Sequence, residues 1–548
     1  MKKYNTLFVV VLTILIVALL TWILPVTYLN GELVEAERAR VGITELFSYP
    51  IFTYYNFIYV FLYLLFIGAI YGLLNKSGAY RLLLDKVCNH VKGRELFWVI
   101  LTVLLFSIIV SFTGFTFEAL IVLPFIAGVI LLLGYDKITA AMVTIGSITV
   151  GVIGTTYSKL VAGTFNEILN TSFSDLIWVK VALLLVGSFI VILNVILHTR
   201  KIEKNNNVSE SFLVPGKVKE KSVKVWPLAT ILICFLLIMI VSTVNWQGAF
   251  NINFFDNLLQ NIKDGRVLSR YVVLTVSLLV VLYNVIISII KKRKAKKEKL
   301  MSKKRLIVTI IFGVLAFLAL LKIMLEDVFK ATDIMTKALA AIKLNTITDS
   351  FTWGQLLGNV LAFGTWTYND YFILMLIFML FIKFTYRVKF SEVIENCGNG
   401  VKTVLYAVFT VMLAYTVLIM ISSHPVILTI LKPILNLSDG LSILWYPIST
   451  FISALLNTDF TYYKYGALTL SYATTFYTST NIYPLCGLIT QAMYGLALMV
   501  APTSSVLLFT LGILDIKYTE WFKKSWKLIL ELVLVIFISF IIVLQFLV

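Results

Sequence analysis

Long apolar runs recur along almost the whole chain, and they restrict its fold more than any other feature. The runs occupy residues 6–25, 52–74, 176–197, 226–244, 271–290, 306–325, 371–382, 403–422 and 526–548. A helix needs about 20 residues to cross roughly 30 Å of hydrocarbon, and most of these runs reach that length. Apolar residues make up 60% of the 548 positions and charged residues 14%, whereas a soluble domain is closer to about a half and a quarter. The sequence therefore predicts an all-α polytopic membrane protein.

Clusters of Lys and Arg between the apolar runs predict the orientation of the chain. Basic residues concentrate in 75–96, 199–224 and 291–305, and short basic loops are retained on the cytoplasmic side. We therefore expect a multi-pass protein of the cell membrane with a cytoplasmic N-terminus, whose first apolar run is a retained helix rather than a cleaved signal. The net charge of +18 then indicates topology and contact with anionic membrane lipid. A nucleic-acid partner is not expected.

A polar break interrupts the apolar sequence in the first half of the chain. The stretch SFTGFTFE, residues 111–118, separates two apolar arms that both meet cytoplasmic loops. Non-helical backbone at membrane depth is tolerated only where it lines a protein cavity or water, so we predict a re-entrant hairpin over about 97–134 that opens to the cytoplasm. Its returning arm should begin as a helix whose N–H groups face the cavity. The candidate binding residues of this tip are Thr113, Gly114, Thr116 and Glu118.

Each predicted hairpin is followed by an apolar segment with a break of its own. In the first half this segment spans about 138–160, and its break GTTYSK supplies Thr155, Thr156 and Ser158 as candidates. In the second half a hairpin over about 443–482, opening to the outside, precedes a segment over about 485–515 with the break APTSS. The candidates there are Asn457, Thr458 and Asp459 in the hairpin, and Pro502, Thr503 and Ser504 in the break.

Two hairpins that enter from opposite faces, each followed by an interrupted helix, are typical of an inverted-repeat secondary transporter. We therefore predict a first repeat over 1–198, connecting segments over 199–370 and a second repeat over 371–548.

Three stretches carry a resemblance to a known family. GFTFEALIVLPF followed by LGYDKIT, the later APTSSVLLFTLGILDIKYTEW, and the early TWILP together resemble the YfcC-like and C4-dicarboxylate anaerobic carrier branch of the ion transporter superfamily. The resemblance implies a scaffold domain that forms a homodimer and a transport domain that carries both hairpins and moves as a unit.

The chain departs from that family's pattern at positions that supply side-chain oxygens. Where the family has a Glu-Glu pair, only Glu118 remains beside Ala119, and Thr156, Tyr157 and Ser158 replace an Asn-Pro-Phe. Tyr494 and Leu498 stand where the family tends to have Asp and Asn. Side-chain oxygens that would hold Na⁺ are therefore missing, and the resemblance does not identify the substrate of this chain.

Residue types that carry catalysis or bind metal are sparse. The four Cys and three His are scattered, without metal-ligand spacing, and the phosphate-binding pattern GxxxxGK[ST] does not occur. We therefore expect a transporter rather than an enzyme, with no cofactor beyond coupling to H⁺ or Na⁺. A membrane-embedded enzyme without a recognisable motif is the alternative of another class.

The charged candidates bear on the substrate. Glu118, Asp459 and Lys464 together would suit a zwitterion, so we expect a small carboxylate-bearing solute, an amino acid or short peptide ahead of a C4-dicarboxylate. Glu118 has two transport roles open to it: it can carry a proton, or remain an anion that holds a cation or a substrate amine. Its plainer role is a structural hydrogen bond in the hairpin.

Overall fold

The described chain is helical apart from one short pair of strands. The computed structural model describes residues 4–24, 26–29, 32–35, 40–202, 204, 210–216, 223–265, 269–295, 303–324, 352–424, 426, 429, 442–459 and 482–547. The strands β1 (Val26–Leu29) and β2 (Glu32–Glu35) pair antiparallel, with Val26 opposite Glu35. Eleven segments among the described residues are long and apolar enough to cross a membrane. The protein is thus an all-α polytopic membrane protein.

The chain forms two compact units, Met1–Ile252 with Phe363–Val548, and Asn253–Ala362. The predicted division into 1–198, 199–370 and 371–548 concerns repeats rather than compact units, and it stays a prediction. The N-terminal part of the first unit contains α1 (Tyr4–Ile23), α2 (Ile43–Lys76), α3 (Ala79–Val91), α4 (Glu95–Thr113), α5 (Leu123–Leu132), α6 (Lys137–Ile153), α7 (Thr164–Leu169), α8 (Ile177–Thr199), α9 (Trp226–Thr243) and α10 (Trp246–Phe250).

The described residues of the second unit form two long apolar helices and two shorter ones. These are α11 (Phe254–Asp264), α12 (Ser269–Ala295), α13 (Lys303–Ile323) and α14 (Trp353–Leu357). The end of α11 is tied to the start of α14, since Trp353 N donates to Gly265 O at 2.9 Å. The C-terminal part of the first unit then contains α15 (Tyr368–Tyr386), α16 (Phe390–Ser423), α17 (Ser442–Leu456), α18 (Tyr483–Val500), α19 (Ser505–Leu514) and α20 (Tyr518–Leu547).

The two longest helices, α2 and α16, are equivalent elements that run in opposite directions. Each has 34 residues, and they begin 347 positions apart, at residues 43 and 390. Tyr49, near the start of α2, has its hydroxyl 2.7 Å from Nε2 of His424, just after the end of α16. At the other end, a Cβ atom on Gly68 would lie 2.8 Å from Gly400 O. Such close antiparallel packing of equivalent helices gives the first unit its inverted-repeat architecture.

The first predicted hairpin has its arms where the sequence placed them. The ascending arm is α4, and Gly114 ends it in the left-handed region, at φ +74°. The returning arm differs from the expectation, because it begins as a 3₁₀ turn over Phe117–Val122 and becomes α-helical only at Leu123. Glu118 therefore lies in the 3₁₀ turn and not at the N-terminus of an α-helix.

The second predicted hairpin is described in part. Its first arm is α17, and the tip is described over residues 457–459. The predicted returning arm, with Tyr462, Tyr463 and Lys464, lies outside the described residues. The sides on which the hairpins open stay predictions.

Candidate functional site: paired helix breaks and an acidic cavity

The tip of the first hairpin is bonded to the break in the following helix. After α6 ends at Ile153 the chain is non-helical until a π-helical turn begins at Lys159. Ser111 Oγ donates to Gly154 O at 2.7 Å, and Thr156 N donates to Ser111 O at 3.1 Å. Ser158 Oγ donates to Thr113 O at 3.0 Å. Backbone groups at each interruption thus bond to backbone or serine hydroxyl groups of the other.

Gly114 is required at this junction for two reasons. Its φ of +74° is strained for residues with a side chain. A Cβ atom at this position would also overlap Ser158 Oγ. The close approach of tip and break therefore depends on the missing side chain.

The second half contains a matching junction. Helix α18 ends at Val500, and α19 begins at Ser505. Thr503 Oγ1 donates to Leu455 O at 2.9 Å, and Tyr494 OH donates to Thr458 O at 2.7 Å. Pro502 lacks an N–H group and so cannot continue the helical hydrogen bonding.

Serine hydroxyls cap the segment that follows each break. Ser158 Oγ accepts from Val161 N at 3.2 Å, and Ser504 Oγ accepts from Leu507 N at the same distance. An N-cap of this kind satisfies one of the free N–H groups at a helix start. The polar residues of GTTYSK and APTSS therefore define where each broken helix resumes.

A cavity of about 350 Å³ lies beside the first tip and contains residues of both hairpins. From the hairpins, Gly114, Thr116, Phe117, Glu118 and Asp459 line it. Lys159, Leu160, Thr164 and Glu167 follow the first break, and Thr243 and residues 364–368 complete the lining. The charged groups among these described residues are three carboxyls and one ammonium.

The two hairpin carboxyls are almost fully buried in this cavity. Glu118 is 2% exposed and Asp459 4% exposed. Glu118 Oε2 accepts from Thr116 N at 2.9 Å, so one oxygen is bound within its own turn. An ionisable group at membrane depth costs about 2.5 kcal/mol or more. The cavity that both groups line is therefore the candidate binding site.

Tyrosines of α2 hold the 3₁₀ turn that carries Glu118. Tyr63 OH donates to Glu118 O at 2.9 Å, and Tyr71 OH donates to Ile121 O at 2.8 Å. Tyr368, which lines the cavity, stacks on Tyr59 with ring centroids 4.4 Å apart. The backbone of the turn that carries Glu118 is thereby bonded to tyrosines outside the hairpin.

The predicted candidates divide into two groups by position. Gly114, Thr116, Glu118 and Asp459 line the cavity. The others lie at the junctions outside the lining: Thr113, Thr155, Thr156, Ser158, Asn457, Thr458, Pro502, Thr503 and Ser504. Thr155 Oγ1 donates back to Gly151 O of α6 at 3.0 Å, and Asn457 Oδ1 is buried without a hydrogen-bond partner among the described residues.

Several cavity residues were not predicted as candidates. Lys159 is the last residue of the break GTTYSK, and this position was the sequence signal that could have identified it as a candidate. Glu167 and residues 364–368 carry no recognisable pattern. Among the described residues, no group of three His, Cys, Asp or Glu side chains could hold a metal ion.

Inverted repeats, hairpin tips bonded to broken helices and a polar cavity at their junction define a secondary transporter. The family model of the C4-dicarboxylate anaerobic carriers (DcuC) matches residues 4–306 and 467–546. The chain belongs to this family, which confirms the predicted resemblance.

Other comparisons give little further similarity. The crystal structure of the YdaH transporter from Alcanivorax borkumensis aligns with 99% of this chain and 98% of its own, at 12% identity and a TM-score of 0.34. No curated protein matches the chain.

Proposed function

We propose that this transporter carries a small solute with both an amine and a carboxylate, an amino acid or a short peptide, by alternating access. The charge of the cavity supports this proposal most directly. Glu118, Asp459 and Glu167 supply three carboxyls against the single ammonium of Lys159. The amine of the substrate would bind the buried carboxyls, and the carboxylate of the substrate would bind Lys159.

The size of the cavity supports the same class of substrate. Small-molecule sites occupy about 300–1,000 Å³, and this cavity of about 350 Å³ lies at the lower end of that range. Solutes of amino-acid or dipeptide size fit it.

We propose that this transport is coupled to H⁺ or Na⁺. It would proceed without catalysis and without an organic cofactor.

Family membership favours a second candidate, a C4-dicarboxylate. A dianion would meet like charge at Glu118 and Asp459, which is destabilising in a desolvated site. It would fit only if those carboxyls were protonated when it bound, and transport would then carry protons with it. Lys159 would hold one of its carboxylates in this case as well.

We further propose that the protein functions as a homodimer in the cell membrane with a cytoplasmic N-terminus. Its partners would be membrane lipid and the transported solute, without nucleic acid.

Uptake by proteoliposomes that contain the purified protein tests the substrate. Labelled amino acids, dipeptides and succinate would be offered under imposed H⁺ and Na⁺ gradients. We expect gradient-dependent accumulation of an amino compound, and Lys159→Gln should raise its KM about tenfold because a charge-assisted bond is lost. Lys524→Gln, at an exposed residue outside the cavity, is the matched control. Uptake of succinate alone would select the second candidate, and product formation without uptake would indicate an enzyme.

A further inference from the structure

The first helix break leaves three consecutive carbonyl groups without helical partners. They belong to Ile153, Gly154 and Thr155, at the end of α6. In transporters with interrupted helices, carbonyl groups freed in this way coordinate Na⁺. Their partners in this protein therefore bear on which ion it can use.

All three carbonyls accept hydrogen bonds from side chains. Gln491 Nε2 donates to Ile153 O at 3.0 Å and to Thr155 O at 2.9 Å. Ser111 Oγ donates to Gly154 O at 2.7 Å. One amide nitrogen thus bridges the two outer carbonyls, and a hydroxyl satisfies the one between them.

The Gln491 amide can bridge the two carbonyls in only one orientation. The side chain is 2% exposed and projects from α18, a helix of the second half of the chain. Only the NH₂ end of the amide can face two carbonyl oxygens, because its own oxygen would be repelled by both. Its two N–H groups provide two donors, as a cation would provide positive charge, but without a net charge.

The second break is satisfied in the same manner by other residues. Leu498 O accepts from Ser504 Oγ at 2.7 Å, and Met499 O accepts from Trp521 Nε1 at 3.1 Å. Val500 O accepts from Tyr518 OH at 2.5 Å. Side chains therefore satisfy the last carbonyls of both interrupted helices.

We propose that Gln491 is a specificity-determining residue that takes the place of Na⁺ at the first break, so that this carrier binds no Na⁺ there. Replacing the amide by a carboxylate would gather acidic and carbonyl oxygens at one point, which is the ligand set that a hard cation prefers. This inference narrows the coupling ion of the proposed transport function from H⁺ or Na⁺ to H⁺. That narrowing rests on the proposed function, whereas the absence of Na⁺ binding does not.

Thermal unfolding of the purified protein in detergent tests the proposal without a substrate. Melting temperatures are compared in NaCl and in choline chloride at equal ionic strength. We expect no difference for the wild type and a rise on the order of 2 °C in NaCl for Gln491→Glu, because an ion that binds only the folded state stabilises it. Gln247→Glu, at an exposed residue of α10, makes the same charge change and should show no rise.

Stabilisation of the wild type by NaCl over choline chloride would overturn the proposal. A folded Gln491→Glu protein that ignores Na⁺ would overturn it as well. If that variant does not fold, the wild-type comparison decides by itself. Failure to find any transported solute would count against the proposed function and leave this result unchanged.

Discussion

Ser111 Oγ lies 3.3 Å from Thr156 Oγ1, and the residues 347 positions later repeat this contact, with Thr458 Oγ1 3.2 Å from Thr503 Oγ1. The same offset relates the starts of α2 and α16, at residues 43 and 390. Each hydroxyl pair joins a hairpin tip to a helix break. The two repeats of this chain therefore form their junctions with equivalent residues.

Removing the hydroxyl of Thr503 should destabilise the second junction. Thr503→Val keeps the shape of the side chain but leaves Leu455 O and the Thr458 hydroxyl without this partner. We expect a loss of about 1–3 kcal/mol in the free energy of unfolding, seen as a lower melting temperature and slower uptake. Thr510→Val is the matched control, because the described part of the chain offers the buried Thr510 hydroxyl no hydrogen-bond partner, so this hydroxyl should be dispensable. Equal melting temperatures for the two variants would contradict a structural role for the pair.

Substituting Gly114 should damage the first junction by overlap as well as by backbone strain. Gly114→Ala places a methyl group against Ser158 Oγ at a φ of +74°. Gly93→Ala isolates the strain, since Gly93 has a φ of +87° with open space around it, and should cost about 1–2 kcal/mol. We expect Gly114→Ala to lower the melting temperature well beyond Gly93→Ala. Similar melting temperatures would mean that the tip can move away from the break.

The charge of Glu118 should be required for substrate binding. Glu118→Gln keeps the shape and removes the proposed ligand of the substrate amine, so we expect the loss of both gradient-driven uptake and substrate exchange across proteoliposomes. Glu520→Gln, at an exposed position of α20, should retain both. Exchange that persists while pH-driven accumulation is lost would assign Glu118 to proton transfer instead. Wild-type rates for both would make it structural.

Asp136 should make the stability of the protein depend on pH. It caps α6 outside the membrane-spanning segments, where its Oδ1 accepts from Thr139 N at 2.8 Å. Burial opposes ionisation, but hydrogen bonds from His198 and Thr139 outweigh it and lower the pKa of Asp136. A carboxyl with a lowered pKa stabilises the fold above its unfolded-state pKa, and this contribution is lost as the pH falls through the folded-state value. Melting temperatures should therefore fall less steeply with acidification in Asp136→Asn than in the wild type; identical slopes would exclude the contribution.

Labelling of single cysteines should reveal the orientation of the hairpins. In a cysteine-free background, positions 135 and 480 are predicted to lie on opposite sides of the membrane. A membrane-impermeant maleimide applied to intact cells should label 480 and spare 135 until the cells are permeabilised. Labelling of both from one side would contradict the predicted insertion.

The sequence predicted most of the fold because the bilayer makes its pattern simple. The apolar runs became helices, although α2 and α16 begin 9 and 13 residues before the runs at 52 and 403. The residues of SFTGFTFE and GTTYSK became the hairpin tip and the break, because polar residues at membrane depth have few alternatives. The 3₁₀ turn around Glu118 was missed. Its geometry depends on donors from Tyr63 and Tyr71 more than 45 positions earlier in the chain.

The candidate site was predicted less completely because its parts come from distant segments. Gln491 appears in the sequence beside Thr490 within the otherwise apolar LITQAM, and nothing nearby signals that its partners lie 338 and 336 positions away. Lys159 and residues 364–368 reach the cavity only through the packing of the helices. Local pattern thus identified the interruptions, while tertiary structure determined which of them shares a space with charged groups.

The antiparallel pairing of α2 with α16 also bears on the conformation in which the carrier opens to the other side of the membrane. Because equivalent elements are inverted, a state in which the repeats exchange their conformations opens to the other side of the membrane. The repeats differ where Gln491 bonds the first break, since the hydroxyl of its counterpart Thr144 has no hydrogen-bond partner in the regions that the structure describes. That asymmetry makes the two facings unequal in free energy, so the empty carrier should rest predominantly in one of them.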